Sequence, residues 1–587
     1  MSKKFRISII GCLATVVYLF ISFFFLLIPI NIKAGDFWVT LIIASLLYAV
    51  GNMVDRAFGF LSRSSSPRGN KFPIPFLVPI FLFIVMMILI IAGAKLFHAK
   101  SYASILSIKE VEFSDDLPEA SATDSIALMD TASAQMLGDR EIGALANLVS
   151  QFDVSGNYTQ IDYQGTPVKV SALYYTGFFK WINNRAEGVP GYVSVDPVSM
   201  TASYNELNSG MKYVPSAYLL EDAGRHIWLN YPTTMWGNLH FEIDEDGNPY
   251  YVASVYDKKI AVLSGKTVSG CIILNPVTGE TEKYDLDSVP KWVDVVYDGN
   301  TLCEQYNWYG NLSGGYWNSV ISKKGCKKVT SSYSYDEETD ENVEIPDYGY
   351  VAKDGDIWIY TGVTSVNSDS SNIGFLLANE RTGESHYFSI NGADEKSAMA
   401  AAEGEVQEKR YTASFPSLIN VDGNPTYIMV LKDASGLVKL YAAVNVEQYN
   451  LVTTASTQAE CISKYKALIG IDSGDADSSD ADLSDSAGGD DNTVNDANSE
   501  DAVDNSTDKD KELVATDSAT ITIADIKFAD IDGNTYIYLI TDANEIYKAK
   551  ISSHEDMLLL NVGDMIDIDY AGNEIVDYSV NEGSTGV

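Results

Sequence analysis

Three apolar stretches, 7–32, 37–54 and 72–97, fill the first hundred residues of this 587-residue chain. None carries the polar face that a helix on a soluble surface needs. A bilayer core of about 30 Å takes about 20 apolar helical residues. The first and third stretches exceed that. The second is near the limit but follows the first across the short turn 31–36, so the two read as a hairpin.

Basic residues beside the stretches set the expected orientation. Lys3, Lys4 and Arg6 precede the first, and Arg56, Arg63, Arg68 and Lys71 separate the second from the third. The first turn holds only Lys33, beside Asp36. The N-terminus and the 55–71 loop are therefore expected in the cytoplasm, and everything after about residue 97 outside it. Residues 1–97 read as a three-span transmembrane anchor in the cell membrane, with the lipid bilayer as its partner. A cleaved signal peptide fits poorly, because two further apolar stretches follow. Ile9-Ile10-Gly11-Cys12 has its apolar run after the cysteine, which argues against lipidation. No charged residue lies deep inside a stretch, as an ion path would need.

Charge narrows the function of the remainder. The chain has 80 acidic and 40 basic residues, yet its first hundred hold ten basic and two acidic. The body beyond is thus more anionic than the whole. Such a surface repels a phosphate backbone, so no nucleic-acid partner is expected.

Residues 98–120 read as a polar stalk containing Lys109-Glu110-Val111-Glu112. Apolar residues at three-to-four spacing predict a helix over 121–152, capped by Asp124. Short strands rich in Tyr and Val follow, with a weak internal repeat. Its first mark is a turn: Gln164-Gly165, Asp246-Gly247, Asp354-Gly355 and Asp422-Gly423. Such pairs supply the positive backbone angles of tight hairpins. Its second mark is an apolar strand closed by Asp196, Asn275, Asn379 or Asn445. Thr278-Gly279-Glu280 and Thr382-Gly383-Glu384 follow two of these. Helix-prone segments, 395–409 and 457–469, follow at least two copies, so each unit is expected to run strand, hairpin, strand, helix.

On those runs and their order, about 160–470 resembles tandem PepSY-type α+β modules of bacterial envelope proteins, so 121–470 is expected to be a helix plus such modules. The whole arrangement is similar to membrane-anchored envelope proteins of Gram-positive bacteria. Residues 471–518 read as an acidic linker: 472–510 holds fourteen acidic residues and one lysine, too few apolar groups to offset ordering entropy. The EF-hand order is missing there, so no metal is expected. Residues 519–587, with strands expected around a short helix at 552–560, look like an OB-type barrel. The expected fold class is thus an N-terminal three-helix transmembrane region, a strand-rich α+β tandem-module ectodomain and a small C-terminal OB-like β-barrel.

Chemistry is sparse. No CxxC pair occurs, and Cys303 with Cys326 is the candidate disulfide, by sequence proximity. The histidines (His98, His226, His240, His386, His554) are scattered, and no zinc-hydrolase or serine-hydrolase motif appears. No cofactor is expected. One cluster stands out: Tyr306, Trp308 and Tyr309, then Tyr316, Trp317 and Asn318, among Gly and Asn on what read as loops. Such aromatics can form a stacking platform for sugar or peptide. They can equally fill a core between modules, as large aromatics usually do. Arg225 and His226 beside Trp228 form a second candidate site. The expected function is a non-enzymatic, membrane-anchored binding or scaffolding protein of the envelope, with a cell-wall or membrane-protein partner. Alternatives are a sensor or regulator acting through a membrane partner, and a hydrolase using carboxylates at a module interface.

Overall fold

The computed structural model describes residues 8–61, 74–471 and 517–580, apart from breaks at 118, 121–125, 146–147, 337–340, 532–533, 542–545, 551–556, 558–559, 561–564 and 572–573. Lys3, Lys4, Arg6, Arg63, Arg68, Lys71, the proposed cap Asp124, the acidic linker and most of the 552–560 helix candidate lie outside the described residues. Residues 1–478 and 479–587 form separate compact units.

Ser8 starts the first helix, Ile9–Phe24: its Oγ accepts from the Gly11 N–H at 2.9 Å and donates to Asp55 at 2.6 Å. The second helix, Gly35–Leu61, crosses the first at two glycines, and a Cβ on Gly51 would stand 2.3 Å from the Gly11 Cα. Small residues at a crossing let helix backbones meet. The apolar part of the second helix, Gly35–Asp55, is long and apolar enough to cross a membrane. Leu77–Ala92 and Lys95–Ala103 pass that test together across a 50° bend, whereas Ile9–Phe24 is shorter. The first helix stops before the apolar run does, because Leu27 takes a positive φ and Pro29 follows. Gly93 ends the third helix.

The body of the first unit is built from four antiparallel meanders of four strands each. The first runs Thr159–Tyr163, Thr166–Tyr175, Val189–Asp196 and Thr201–Met211. The second runs Met235–Ile243, Pro249–Ala261, Ser264–Leu274 and Thr281–Asp285. The third runs Gly349–Lys353, Asp356–Ser365, Ser368–Asn379 and Ser385–Phe388. The fourth runs Ser417–Val421, Asn424–Lys432, Val438–Asn445 and Val452–Ala455. Gln164-Gly165, Asp354-Gly355 and Asp422-Gly423 each place both residues at positive φ and turn the first strand of a meander into the second. Asp196, Asn275, Asn379 and Asn445 each end a third strand by accepting backbone N–H bonds from the turn that follows.

Each meander has a helix before it and a helix after it: Glu395–Gly404 and Gln458–Leu468 occupy the helix-prone segments 395–409 and 457–469, after the third and fourth copies. Thr131–Gly143, Ala223–Asn230, Gly299–Leu312 and Glu395–Gly404 come before the four meanders in turn. Each begins at an aspartate that accepts from the third helical N–H: Asp130 from Ser133, Asp222 from Arg225, Asp298 from Thr301 and Asp394 from Ser397. This cap is a third mark of the repeat. The helix expected over 121–152 is accordingly shorter and capped by Asp130, since Leu128 and Met129 are buried ahead of it.

The segment 98–120 is no stalk. Lys95–Ala103 packs on Gly299–Leu312, Ile108–Glu110 adds a parallel strand beside Ser385–Tyr387, and Phe113 and Leu117 enter the core below that sheet. In the second unit, strands Asp517–Ile531, Asn534–Thr541, Ile546–Lys550, Met565–Ala571 and Glu574–Val580 close into a barrel, the third pairing with the fifth in parallel. Ile521, Ile537, Leu539, Ile566 and Ile568 fill it.

Candidate functional site

The aromatic cluster forms around helix Gly299–Leu312 rather than on loops. Leu302, Cys303 and Tyr306 recur at helical spacing and are buried against the sheets. Gly310 is required by proximity: a Cβ there would lie 2.4 Å from the Lys327 carbonyl oxygen. That approach lets Asn307 Oδ1 accept from the Val329 N–H at 2.9 Å. The opposite side carries Trp308, edge-on to Tyr102 with ring centroids 5.0 Å apart. Lys95 Nζ stands 5.9 Å from both ring centroids.

Along this helix opens a cleft of about 940 Å³, lined by Asn300, Glu304, Asn307, Trp308, Asn311 and Tyr316, with Lys95, Tyr256 and Lys266 opposite. Lys266 pairs with Glu304 at 3.5 Å. Asn238, Asp298 and Asn300 also line a second chamber of about 260 Å³. Tyr158, Gln160, His240, Tyr350 and Glu380 complete that chamber. Three of its buried polar atoms have no hydrogen-bond partner among the described residues: Glu380 Oε2, Gln160 Nε2 and the Tyr158 hydroxyl. Buried polar groups are normally satisfied, so these are candidates to meet a ligand or solvent.

The two chamber carboxylates are held differently. Burial pushes Asp298 up, but hydrogen bonds from Tyr256 and Thr301 and the nearby Lys266 outweigh it and hold the group below its usual range. Burial, then the charges of Asp298 and Glu242, push Glu380 well above its usual range. Burial lowers His240. Burial also lowers Lys169 to about 8, although Asp130 and Glu380 oppose the shift. Among the described residues no group of His, Cys, Asp or Glu is arranged to hold a metal ion.

The structure separates the expected site residues. Tyr306 is a core side chain stacked on Tyr387, and Tyr309 packs beside it. Trp308 and Tyr316 reach the cleft, whereas Trp317 is 66% exposed. Asn318 holds its own turn, donating to the Lys324 carbonyl at 2.9 Å. Arg225 and His226 belong elsewhere. Arg225 Nε donates to the Phe24 carbonyl at 2.7 Å, and His226 Nε2 donates to the Gly279 carbonyl at 2.7 Å. Trp228 donates to the Ile28 carbonyl at 2.9 Å, so this helix clasps the end of the first apolar helix. Cys303 and Cys326 are free thiols. Cys303 faces the core, while Cys326 Sγ donates to the Asn311 carbonyl at 3.5 Å. The inner chamber escaped the sequence reading because its members lie hundreds of positions apart.

No known family pattern and no curated protein matches the chain. Among solved structures, an ACO/RPE65 chimera matches at 8% identity and a TM-score of 0.15, covering 53% of this chain and 60% of that one. The chain thus spans less than two thirds of that protein. An α-L-arabinofuranosidase from Lactobacillus brevis matches at 10% identity and a TM-score of 0.15, covering 49% and 69%. A B. megaterium levansucrase mutant matches at 8% identity and a TM-score of 0.17, covering 81% and 98%. None of these likenesses bears on the fold or chemistry of this chain.

Proposed function

We propose that this chain is a membrane-anchored, extracytoplasmic, non-enzymatic binding protein of the cell envelope, whose ligand is a glycan. The anchor takes Ile9–Phe24, Gly35–Leu61 and Leu77–Ala92 as three spans with the N-terminus inside. Support comes from apolar side chains without protein cover, including Leu13, Val16, Phe20, Phe81 and Ile88, and from the basic flanks. The helix-plus-meander units are read as PepSY-like. The strand order of the closed barrel supports an OB-type reading of the C-terminal unit.

The observation that carries the binding reading is the cleft of about 940 Å³, where Trp308 and Tyr316 stand among Asn238, Asn300, Asn307 and Asn311. Ring faces take the apolar face of a sugar, and amides match its hydroxyls. The test is calorimetric titration of the full chain in lipid nanodiscs with N-acetylglucosamine oligomers. Binding is expected, weakened about tenfold, or roughly 1.4 kcal/mol, by Tyr316→Ala or Asn300→Ala. Absence of binding at millimolar oligomer removes the reading.

A carboxylate-based hydrolase is the second reading. Its favouring observation is the chamber pair Asp298 and Glu380, whose surroundings shift them in opposite directions, as an acid–base pair requires. Asp298 is already committed to Tyr256 and Thr301, which is why binding is preferred. Released oligosaccharide products, lost in Glu380→Gln, would reverse that order.

A further inference from the structure

We propose that the turn Asn318–Ser322, with Trp317 before it and two lysines after it, inserts into the anionic headgroup region of the bilayer that anchors the chain. The inference rests on the three-span anchor proposed above. Trp317, Val320 and Ile321 are 66%, 52% and 74% exposed, and their spacing puts them on one face of a helical turn. A contiguous exposed trio led by tryptophan marks a contact surface more often than a chance exposure.

Charge identifies the partner. Residues 305–335 hold Lys323, Lys324, Lys327 and Lys328 and no Asp or Glu, within a chain of net charge −40. Lys327 lies over Tyr387, and Lys328 pairs with Glu344. Lys323 and Lys324 follow directly on the apolar turn. Apolar anchors beside lysines suit a surface of anionic lipid, and an acidic protein of similar composition to this body would meet mainly the lysines.

Position agrees. Trp317 packs edge-on against Tyr316, which joins the small core made by Ala99, Tyr102, Trp308 and Leu312. That core rests on helix Lys95–Ala103, which begins three residues after the apolar helix Leu77–Ala92 ends. The exposed trio is thus tied by direct packing to the point where the chain leaves the third span. A second exposed apolar patch, Phe178 packed between Phe179 and Tyr218, lies by the other exit, next to Leu219 in sequence. There Arg225 donates to both the Leu219 and Phe24 carbonyls. Both apolar patches therefore adjoin ends of the anchor helices.

The test uses the full chain carrying Cys12→Ala, its other cysteines being buried. An environment-sensitive fluorophore is attached through Ile321→Cys, through Val39→Cys in the second apolar helix, or through Ser435→Cys on a distant exposed turn. Each protein is placed in nanodiscs of phosphatidylglycerol or phosphatidylcholine with or without a doxyl-labelled lipid. The 321 and 39 labels are expected to lose emission roughly twofold or more to the doxyl lipid, and the 435 label to keep it. Lys323→Glu with Lys324→Glu is expected to abolish the extra quenching at 321 in phosphatidylglycerol over phosphatidylcholine. Quenching at 39 with none at 321 overturns the insertion and leaves the anchor. No quenching at either position overturns both. Crosslinking of the 321 site to a membrane protein in cells, without lipid quenching, assigns the surface to a protein partner and also overturns the proposal.

Discussion

Buried carboxylates make the stability of this chain depend on pH. Glu395 accepts from the Gly362 N–H at 2.7 Å and is fully enclosed, and burial pushes it up to about 7. Glu242 accepts from the Asp294 and Val295 N–H groups, and burial likewise pushes it up. Between about 4.5 and 7 the folded chain binds a proton at Glu395 that the unfolded chain does not, and Glu242 acts in the same direction. Stability must therefore fall as pH rises through that window, and the loss is complete above it. A shift of this size corresponds to roughly 3 kcal/mol for Glu395 as an upper scale. Glu395→Gln keeps an acceptor for Gly362 and removes the charge. It is expected to raise the urea midpoint at pH 8 and leave it unchanged at pH 4.5; equal midpoints at pH 8 would refute the account. Trp181, 1% exposed and bonded to Glu221, sets the opposite scale. Trp181→Ala is expected to cost about 3–5 kcal/mol in the same measurement, whereas Trp317→Ala should stay within about 0.5 kcal/mol.

At the scale of elements, four aspartate caps start four helices, but they are not equivalent. Asp394 caps through Ser397 alone, and Asp394→Ala is expected to cost about 1 kcal/mol. Asp130 also binds Lys432 at 2.6 Å in a largely enclosed pair. Asp130→Ala removes the countercharge of that ammonium, leaving it only the Ser133 hydroxyl at 3.3 Å among the described residues, and is expected to cost more, about 2–4 kcal/mol. Thermal unfolding of the two variants side by side checks the order; equal losses would mean the Lys432 pair contributes nothing. These elements also show why the sequence was partly legible. Gln-Gly or Asp-Gly at the first hairpin and Asp or Asn at the end of the third strand are local signals, since positive φ and side-chain-to-backbone bonds act within a few residues, and they located that hairpin and that strand end in every meander. The helices were harder. Ala223–Asn230 has only eight residues, and Gly299–Leu312 contains Gly310 and four asparagines or glutamines that read as loop. Gly310 is there because a strand backbone passes beside it, a tertiary reason that no local pattern carries. The cleft was half legible: Trp308 and Tyr316 were singled out, but Lys95, Asn238 and Lys266 reach it from distant segments.

At the scale of the whole molecule, the two compact units meet different demands. The first ties its meanders to the apolar helices through Arg225, Trp228 and the Lys33–Asp257 pair at 2.6 Å. The second is a barrel with its own core. The sequence 472–516 has five aliphatic side chains larger than alanine and no aromatic one, and carries Lys509 and Lys511, which trypsin cuts. From that composition, cleavage at these lysines is expected to outpace cleavage within either core. If the chain after about residue 97 faces outward, trypsin added to intact cells releases the barrel while residues 1–470 stay with the membrane. In inverted membrane vesicles the same sites should be protected until detergent is added. Release from inverted vesicles, with protection on intact cells, would place the acidic body in the cytoplasm. The anchor could stand after that result. A role at the outer surface, and with it an envelope glycan as ligand, could not, because the cleft around Trp308 belongs to the body that would then face inward.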